Sequence, residues 1–325
     1  MTFAGSPGPV ESQLVPEAGF ELDTFAISGF PRRVGLRLLR SVVRAVWAPF
    51  ACLGILRRRR PDVVLGGGGY VAGPMVLAAR LRGIPAALTE ADAHLGLANR
   101  LAAPLARRVF LAYDIPGRNR PKYHVVGRPI PRDHLGGDRT VARERFGLPL
   151  DRPVLAVFGG LAGALALNEF AVETYGKSGP AVLHVSGERD HAGLRSRVKR
   201  PDYVLLASTD RFGDALAAPD LVLSRAGGTV WELAAAGAPA ILVPYPHATA
   251  DHQTLNALHF ERGGGAIVVR EEDLARVPAL VDELLADPER LRRMSEAMHA
   301  LARPDAAERI ADELVILGTI RGRRS

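Results

Sequence analysis

The chain has 325 residues, of which 47% are hydrophobic and 24% are charged, and this near-average composition excludes a disordered, collagen-like or coiled-coil protein. Its length favours two domains. A single cysteine, Cys52, excludes a disulfide framework and a zinc site built from cysteines. The net charge is +7, from 42 basic and 35 acidic residues, and this charge alone does not predict a nucleic-acid partner.

Short apolar runs alternate with helical patterns along almost the whole chain. Six runs predict strands in the first half: Thr2–Ala4, Leu22–Ile27, Asp62–Leu65, Ala86–Thr89, Val109–Ala112 and Tyr123–Val126. Six more predict strands in the second half: Val154–Phe158, Ala181–Val185, Tyr203–Leu206, Leu221–Leu223, Ala240–Val243 and Ala266–Val269. Continuous apolar strands between helices are typical of parallel sheets covered on both faces. We therefore predict an α/β protein with two doubly wound, Rossmann-like domains and a ligand cleft between them.

Composition also predicts where the two domains meet. A segment rich in Gly, Pro, Arg and Asp, Gly127–Asp151, has the character of a linker. We place the first domain at residues 1–135, the linker at 136–151, and the second domain with its closing helices at 152–325. One of the last helices is expected to return to the first domain.

The first residues show no basic region followed by an apolar run, so no secretory signal is predicted. The longest uncharged apolar run, Ala45–Leu56, is shorter than the roughly 20 residues of a membrane-spanning helix. The chain opens directly on a strand, where a doubly wound domain usually has a strand, a phosphate-binding turn and a helix. We therefore expect a soluble or peripheral cytoplasmic protein whose chain starts after the first such unit.

Arginines concentrate between residues 32 and 60. Arg33, Arg37, Arg40 and Arg44 recur at helical spacing, and a broad apolar surface that includes Val43, Trp47 and Phe50 accompanies them. Such a helix suits an anionic membrane surface, with the tryptophan near the headgroups. The alternative is an ordinary packing helix with a solvated basic face.

The strongest local motif lies in the second half. The apolar run Leu221–Leu223 continues into Ser224–Thr229, which contains two glycines, and a helical pattern follows. Glycines at a helix start let a phosphate approach free backbone N–H groups. Glu232, about one turn further, is placed to accept hydrogen bonds from a ribose diol. The alternative is a tight strand-to-helix turn with a surface glutamate.

Two groups of residues in the first half also follow strands. Four consecutive glycines, Gly66–Gly69, precede Tyr70 and can cradle a diphosphate, or form a flexible turn. Glu90, Asp92 and His94 follow the next strand, and their spacing suits acid/base chemistry or a metal. The alternative is that they line the cleft or cap the following helix.

A third polar group follows the strand Ala240–Val243. His247, Asp251 and His252 are possible metal ligands, but no third segment rich in ligands is evident. We therefore predict no metal, and interpret this group, with Gln253 and Asn256, as hydrogen-bonding partners of a sugar.

Three of these segments, in the same order, resemble the MurG family: DVVLGGGGYVAGP, SRAGGTVWELAAAGAPAILVPYP and DHQTLNA. The similarity extends over essentially the whole chain. It implies a GT-B fold and an inverting transfer of N-acetylglucosamine from UDP-N-acetylglucosamine to undecaprenyl-diphosphate-linked muramoyl-pentapeptide, a step of peptidoglycan synthesis. It also implies that no cofactor is needed, and that the protein is peripheral on the cytoplasmic face of the membrane, with a UDP-sugar, the lipid acceptor and an anionic surface as partners.

The resemblance also carries residue roles. The residues that it implies for the donor site are Thr209, Gly227, Gly228, Thr229, Val230, Trp231, Glu232 and Gln253, to which we add Arg225, Asn168 and Arg128. The acceptor diphosphate is expected at Gly67, Gly68, Gly69 and Tyr70, and the membrane patch at Val43, Trp47 and Phe50. Glu90 and Asp92 are the candidate bases, because the family's catalytic histidine is absent from this chain.

Several family motifs are altered here. The family's H-E-Q-N becomes Thr89–Asp92, its G-G-S-Q-G becomes Gly159–Gly163, and its G-N-P-V-R becomes Gly127–Pro131, which displaces an arginine to Arg128. These changes leave alternatives open: a UDP-sugar transferase for another lipid, an inactive UDP-sugar-binding protein or half-enzyme, and a UDP-sugar epimerase.

Overall fold

The computed structural model describes residues 1–28, 35–159 and 164–322. The chain forms two compact units, one of residues 1–126 with 308–325 and the other of residues 127–307. This division differs from the predicted one at two places. The predicted linker folds with the second unit, and the end of the chain belongs to the first unit.

The first unit contains two parallel sheets. One has two strands in the order β1-β2, and the other has four in the order β3-β4-β5-β6. Its described elements are β1 (Phe3–Gly5), α1 (Pro9–Glu17), β2 (Leu22–Thr24), α2 (Leu36–Arg59), β3 (Val64–Gly66), α3 (Gly69–Leu81), β4 (Ala86–Glu90), α4 (Leu97–Ala102), β5 (Arg108–Leu111), β6 (Tyr123–Val125) and α13 (Ala306–Gly322).

Helix α2 packs one of its faces into the core of the first unit. Ala48, Cys52, Ile55 and Leu56 are buried there with residues of α3 and β3, while Pro49 lies inside the continuous helix. Burial raises the pKa of the Cys52 thiol to about 12. A thiol of such high pKa in an apolar core is unreactive, so Cys52 is a packing residue.

Helix α13 explains why the end of the chain belongs to the first unit. Ile310 and Leu317 pack in one cluster with Phe110 of β5 and Val126. An ion pair between Arg108 Nε and Glu313 Oε2, at 3.0 Å, joins the same strand and helix. The expected return of a C-terminal helix to the first domain is thus observed.

The second unit is built on a six-stranded parallel sheet in the order β12-β11-β10-β7-β8-β9. Its elements are α5 (Arg139–Phe146), β7 (Val154–Phe158), α6 (Leu165–Tyr175), β8 (Ala181–Val185), α7 (Glu188–Arg195), β9 (Tyr203–Leu206), α8 (Phe212–Ala217), β10 (Leu221–Ser224), α9 (Thr229–Ala235), β11 (Ala240–Leu242), α10 (His252–Arg262), β12 (Ala266–Val268), α11 (Val277–Leu285) and α12 (Pro288–Leu301). The strand order reverses between β7 and β10. In doubly wound sheets ligands bind at the carboxyl ends of the strands beside such a reversal.

One buried arginine ties the predicted linker to this sheet. Arg143 on α5 is only 5% exposed, and its Nε donates to the carbonyl of Ala218 at 2.9 Å. Its Nη2 bonds to Asp220 Oδ2 at 2.6 Å, and that same oxygen accepts from the backbone N–H of Val154 at 2.8 Å. A buried guanidinium with these partners anchors its helix, so residues 139–146 are part of the domain and not a linker.

Candidate functional site

The loop after β10 is built so that a cation lies directly against its backbone. A Cβ on Gly228 would come within 2.4 Å of the Cζ of Arg128, whereas the Cβ position of Gly227 lies 3.9 Å from Nε2 of Gln253. Only glycine therefore lets the guanidinium approach so closely. Arg128, the arginine that the sequence displaces from its family position, thus lies beside the Gly227–Gly228 backbone, where its fork of N–H donors suits a phosphate.

Gln253, at the start of α10, reaches the same loop. Its side-chain Oε1 accepts from the backbone N–H of Tyr245 at 2.9 Å. This bond orients the amide so that Nε2 lies 3.9 Å from the Cβ position of Gly227. The two N–H groups of Gln253 are therefore available beside the glycine pair.

Glu232 lies one turn into α9 and is held by a residue that sequence analysis missed. Its Oε1 is 2.8 Å from Nδ1 of His134, and the two side chains are 18% and 25% exposed. His134 is 98 positions away in the chain and lies in the segment interpreted as a linker. No local pattern around His134 marks it, so sequence analysis had no signal with which to find it.

Arg225 does not face the glycine loop, which corrects its predicted role at the donor. It is only 8% exposed, and its Nη1 donates to the carbonyls of Val243 and Pro244 at 3.2 and 3.3 Å. Its Nη2 pairs with Glu271, and the guanidinium lies over the ring of Tyr245. Because carbonyl and carboxylate partners occupy it, Arg225 shapes the loop after β11 instead of binding a phosphate.

Two further predicted donor contacts are corrected by burial. Val230 is fully buried and Trp231 is 2% exposed. The Trp231 ring packs edge-to-face against Phe260, with centroids 5.4 Å apart. The backbone N–H groups of both residues bond to the carbonyls of Gly227 and Gly228. The side chains of both residues therefore pack in the core, and their backbone N–H groups form the turn at the start of α9.

Asn168 is also structural, which corrects its assignment to the donor site. It is fully buried on α6, and its Nδ2 donates to Ser186 O at 2.9 Å and to Asp190 Oδ2 at 2.8 Å. Its Oδ1 accepts from Nε2 of His184 at 2.9 Å, and Nδ1 of His184 accepts from the Tyr203 hydroxyl at 2.8 Å. A neutral imidazole satisfies both contacts with one tautomer.

We expect His184 to make folding stability depend on pH. Burial lowers the pKa of His184 to about 3 from 6.5. Because the unfolded chain takes up this proton near pH 6.5 and the folded chain does not, stability is lost as pH falls below about 6.5, by at most ~1.4 kcal/mol per pH unit. Urea unfolding between pH 7 and 5 should show a smaller pH slope for His184→Gln than for the wild type. The exposed His247→Asn should keep the wild-type slope, and an equal slope in all three would contradict the prediction.

The segment before α8 combines a local turn with an aromatic side chain. Thr209 Oγ1 accepts from the backbone N–H of Arg211 at 3.1 Å. The half-buried ring of Phe212 packs on Phe158 of β7, with centroids 5.4 Å apart. The predicted place of Thr209 in the donor site stays a prediction.

In the first unit, the glycine loop between β3 and α3 is open. Gly68 and Gly69 have φ values of +93° and +67°, which disfavour any side chain. Among the described residues, no heavy atom lies within 4 Å of the Cβ positions of Gly67 and Gly69. Tyr70 follows with 40% exposure. This exposed backbone is compatible with the predicted acceptor diphosphate.

Glu90 is a loop-capping residue, which corrects its prediction as a base. Its Oε1 accepts from the backbone N–H of Ala91 at 3.1 Å. Its Oε2 accepts from the N–H of Gly96 at 2.9 Å and from Nδ2 of Asn99 at 3.0 Å. Both oxygens are thus engaged by structural donors, as the capping alternative anticipated. Asp92 is half-buried in the same loop, and its role as the base stays a prediction.

The polar group before α10 makes short-range contacts. Asp251 Oδ1 accepts from Thr254 Oγ1 at 2.7 Å, and His252 Nδ1 donates to Thr249 O at 2.8 Å. Across the described ranges, no three His, Cys, Asp or Glu side chains are grouped to hold a metal ion. The altered loop at residues 160–163 lies outside the described residues.

Helix α2 presents the predicted membrane patch to solvent. Val43, Trp47 and Phe50 are 50%, 64% and 62% exposed. By length and composition, Leu39–Arg59 is long and apolar enough to cross a membrane, the one such helix in the part of the chain that the structure describes. The uncharged run Ala45–Leu56 by itself did not predict an apolar helix of this length. Arg33 and the side chain of Arg37 lie outside the described residues.

Parallel sheets in both units, with a glycine loop at the strand-order reversal of the six-stranded sheet, are the architecture of GT-B glycosyltransferases, the class to which the matched domains and the similar structure belong. Residues 2–111 match the glycosyltransferase family 28 N-terminal domain, and residues 154–310 match the corresponding C-terminal domain. A crystal structure of Acinetobacter baumannii MurG is similar, with a TM-score of 0.75 and 25% identity over 96% of this chain and 90% of that one.

Curated relatives are similar over nearly their whole length. One from a Nocardioides species is 40% identical, over 98% of this chain and 90% of the relative. One from Mycobacterium bovis is 39% identical, over 100% and 83%. Both are named UDP-N-acetylglucosamine–N-acetylmuramyl-(pentapeptide) pyrophosphoryl-undecaprenol N-acetylglucosamine transferase. The chain belongs to the MurG family of glycosyltransferases, which confirms the predicted resemblance and the GT-B fold.

Proposed function

We propose that this glycosyltransferase transfers N-acetylglucosamine from UDP-N-acetylglucosamine to undecaprenyl-diphosphate-linked muramoyl-pentapeptide, with inversion at the sugar carbon. The observation that carries the proposal is that Arg128 and Gln253 lie against the Gly227–Gly228 loop, while Glu232 stands in the first turn of the helix that follows the loop. The segment thus combines a cation, a neutral amide and a carboxylate, which are the groups needed for a diphosphate, a sugar and a ribose.

The diphosphate of the donor is assigned to Arg128 and the glycine loop. A guanidinium beside bare backbone can bond two phosphate oxygens in parallel. As the bond between the sugar and the β-phosphate breaks, negative charge grows on the departing UDP. A fixed cation stabilises that charge more than the charge of the bound donor, so Arg128 lowers the barrier as well as the dissociation constant.

The other parts of the donor are assigned to the surrounding residues. Glu232 accepts hydrogen bonds from the ribose hydroxyls, and Gln253 donates to the sugar and its phosphates. The backbone of Thr209–Phe212 holds the uracil. This site is polar and uses no side chain of Arg225, Val230, Trp231 or Asn168.

The acceptor side of the reaction is assigned to the first unit. The open backbone of Gly67–Gly69 and the exposed Tyr70 receive the diphosphate of the lipid. The acceptor hydroxyl attacks the sugar carbon opposite the leaving UDP and loses its proton to a base. Asp92 is the candidate base, since the oxygens of Glu90 are occupied.

The decisive experiment is transfer of radiolabelled sugar to a lipid-linked acceptor. The purified chain is incubated with UDP-N-acetylglucosamine or UDP-glucose and either the muramoyl-pentapeptide lipid or undecaprenyl phosphate. We expect turnover only with the acetylated donor and the diphosphate acceptor. Turnover with another lipid, binding of the donor without turnover, or formation of an epimer without any acceptor would each overturn the proposal.

We further propose that the exposed face of α2 places the protein on the cytoplasmic face of the cell membrane as a peripheral protein. The face combines Val43, Trp47 and Phe50 with the exposed cations Arg40 and Arg44. Aromatic and apolar side chains enter the interface, while arginines attract anionic headgroups. The opposite face of α2 stays packed in the core of the first unit. The helix therefore binds the membrane surface while it remains part of its domain.

Trp47→Glu is expected to weaken binding to phosphatidylglycerol vesicles about tenfold, since it removes an interfacial anchor and adds a repelled charge. Vesicle sedimentation measures the partition coefficient. Val315→Glu is the matched control, because Val315 is 66% exposed on α13. Equal losses in both variants, or none in Trp47→Glu, would contradict the assignment.

A further inference from the structure

We infer that His134 is a positioning residue that holds Glu232 in the orientation needed to recognise the ribose of the donor. The inference rests on the proposed function, because it assumes that Glu232 accepts hydrogen bonds from ribose hydroxyls. It adds a residue that neither the motif nor the family resemblance assigns to the site.

The backbone that carries His134 is held close to α8. His134 ends a 3-10 helix, Arg132–His134, that follows Pro131. A Cβ on Gly213 would lie 2.1 Å from the carbonyl oxygen of Asp133. Only glycine permits this close approach, so the turn is seated directly on the first residues of α8.

The imidazole itself is held from two sides. Its ring meets Phe212 edge-on, with centroids 5.2 Å apart and planes at 61°, and Phe212 rests in turn on Phe158. On the other side, Nδ1 lies 2.8 Å from Glu232 Oε1. A carboxylate oxygen accepts, so Nδ1 carries the proton in this contact.

This clamp has a direct consequence for Glu232. A glutamate with three rotatable bonds loses conformational entropy when it binds a ligand. The bond from Nδ1 makes that loss part of folding, so the carboxylate is already oriented when the donor arrives. Oε1 keeps a second lone pair and Oε2 keeps two, which is enough to accept from a ribose diol.

The test uses the ribose itself as the readout. Calorimetric titration with UDP and with 2′-deoxy-UDP gives the preference of each variant for the 2′-hydroxyl, which we expect to be about tenfold in the wild type. Glu232→Ala should abolish the preference. His134→Leu, which keeps apolar bulk beside Phe212, should reduce it to about threefold or less.

Two further variants separate positioning from a general structural role. His134→Asn keeps an N–H donor near the position of Nδ1 and should restore most of the preference. The double variant His134→Leu, Glu232→Ala should show no further loss of preference beyond Glu232→Ala. Weaker binding of both nucleotides by His134→Leu with an unchanged preference would overturn the inference and leave the proposed function standing. Failure of the wild type to bind UDP would overturn both.

Discussion

Glu232→Ala is expected to weaken the binding of UDP-N-acetylglucosamine about 100-fold, because hydrogen bonds from two ribose hydroxyls to a charged acceptor are lost. The substitution also leaves the N–H of His134 without its carboxylate partner. Isothermal titration measures the dissociation constant, and circular dichroism verifies that the fold is retained.

Glu272→Ala is the matched control for this measurement. Glu272 is on the same unit, its side chain is 73% exposed, and its ion pair with Arg270 is 3.4 Å long. An exposed ion pair of this kind contributes little to the free energy of folding, so Glu272→Ala should keep its fold and bind the donor like the wild type. If Glu232→Ala changed affinity by less than about threefold, the ribose assignment would be wrong.

Arg128→Met is expected to reduce kcat by about 100- to 1000-fold, because charge on the departing UDP loses its fixed cation. The dissociation constant of the donor should rise less than kcat falls, since the interaction is stronger in the transition state. Steady-state kinetics at saturating acceptor separates the two effects.

Arg128→Lys and Arg270→Met complete the series. Lysine keeps the charge but loses the paired N–H groups, so Arg128→Lys should have intermediate activity. The Arg270 side chain is 79% exposed and pairs with the exposed Glu272 at the surface, so Arg270→Met should be as active as the wild type. Equal kcat in Arg128→Met and the wild type would exclude this arginine from the reaction.

The residues that we propose for the acceptor and for the base lie in the first unit. Glu90 accepts hydrogen bonds from four neighbouring N–H groups, those of Ala91, Asp92, Gly96 and the Asn99 side chain, which fixes the start of α4. Because structural donors occupy both oxygens, Glu90 caps the loop before α4. Of the two candidate bases, Glu90 and Asp92, we therefore propose Asp92.

The sequence by itself determined the architecture of this protein. All twelve predicted strands are present with ends shifted by a few residues, because continuous apolar runs report burial within a single element. It also singled out the glycine loops, Glu232, Gln253 and the basic, apolar helix α2 as candidates, since each is recognisable from residue type and short spacing. The family resemblance followed from the same local motifs.

Only the tertiary structure decided which polar residues are available to a ligand. Arg225 and Arg128 are both arginines near the same loop, yet Arg225 is bound to carbonyls beyond β11 while Arg128 lies on Gly228. Asn168 was assigned to the donor site and His134 was missed, in both cases because the hydrogen-bonding partners are distant in the chain. Whether a polar side chain can bind a ligand depends on the donors and acceptors that folding brings next to it. Those partners come from distant parts of the chain, so the local periodicity of the sequence does not predict them.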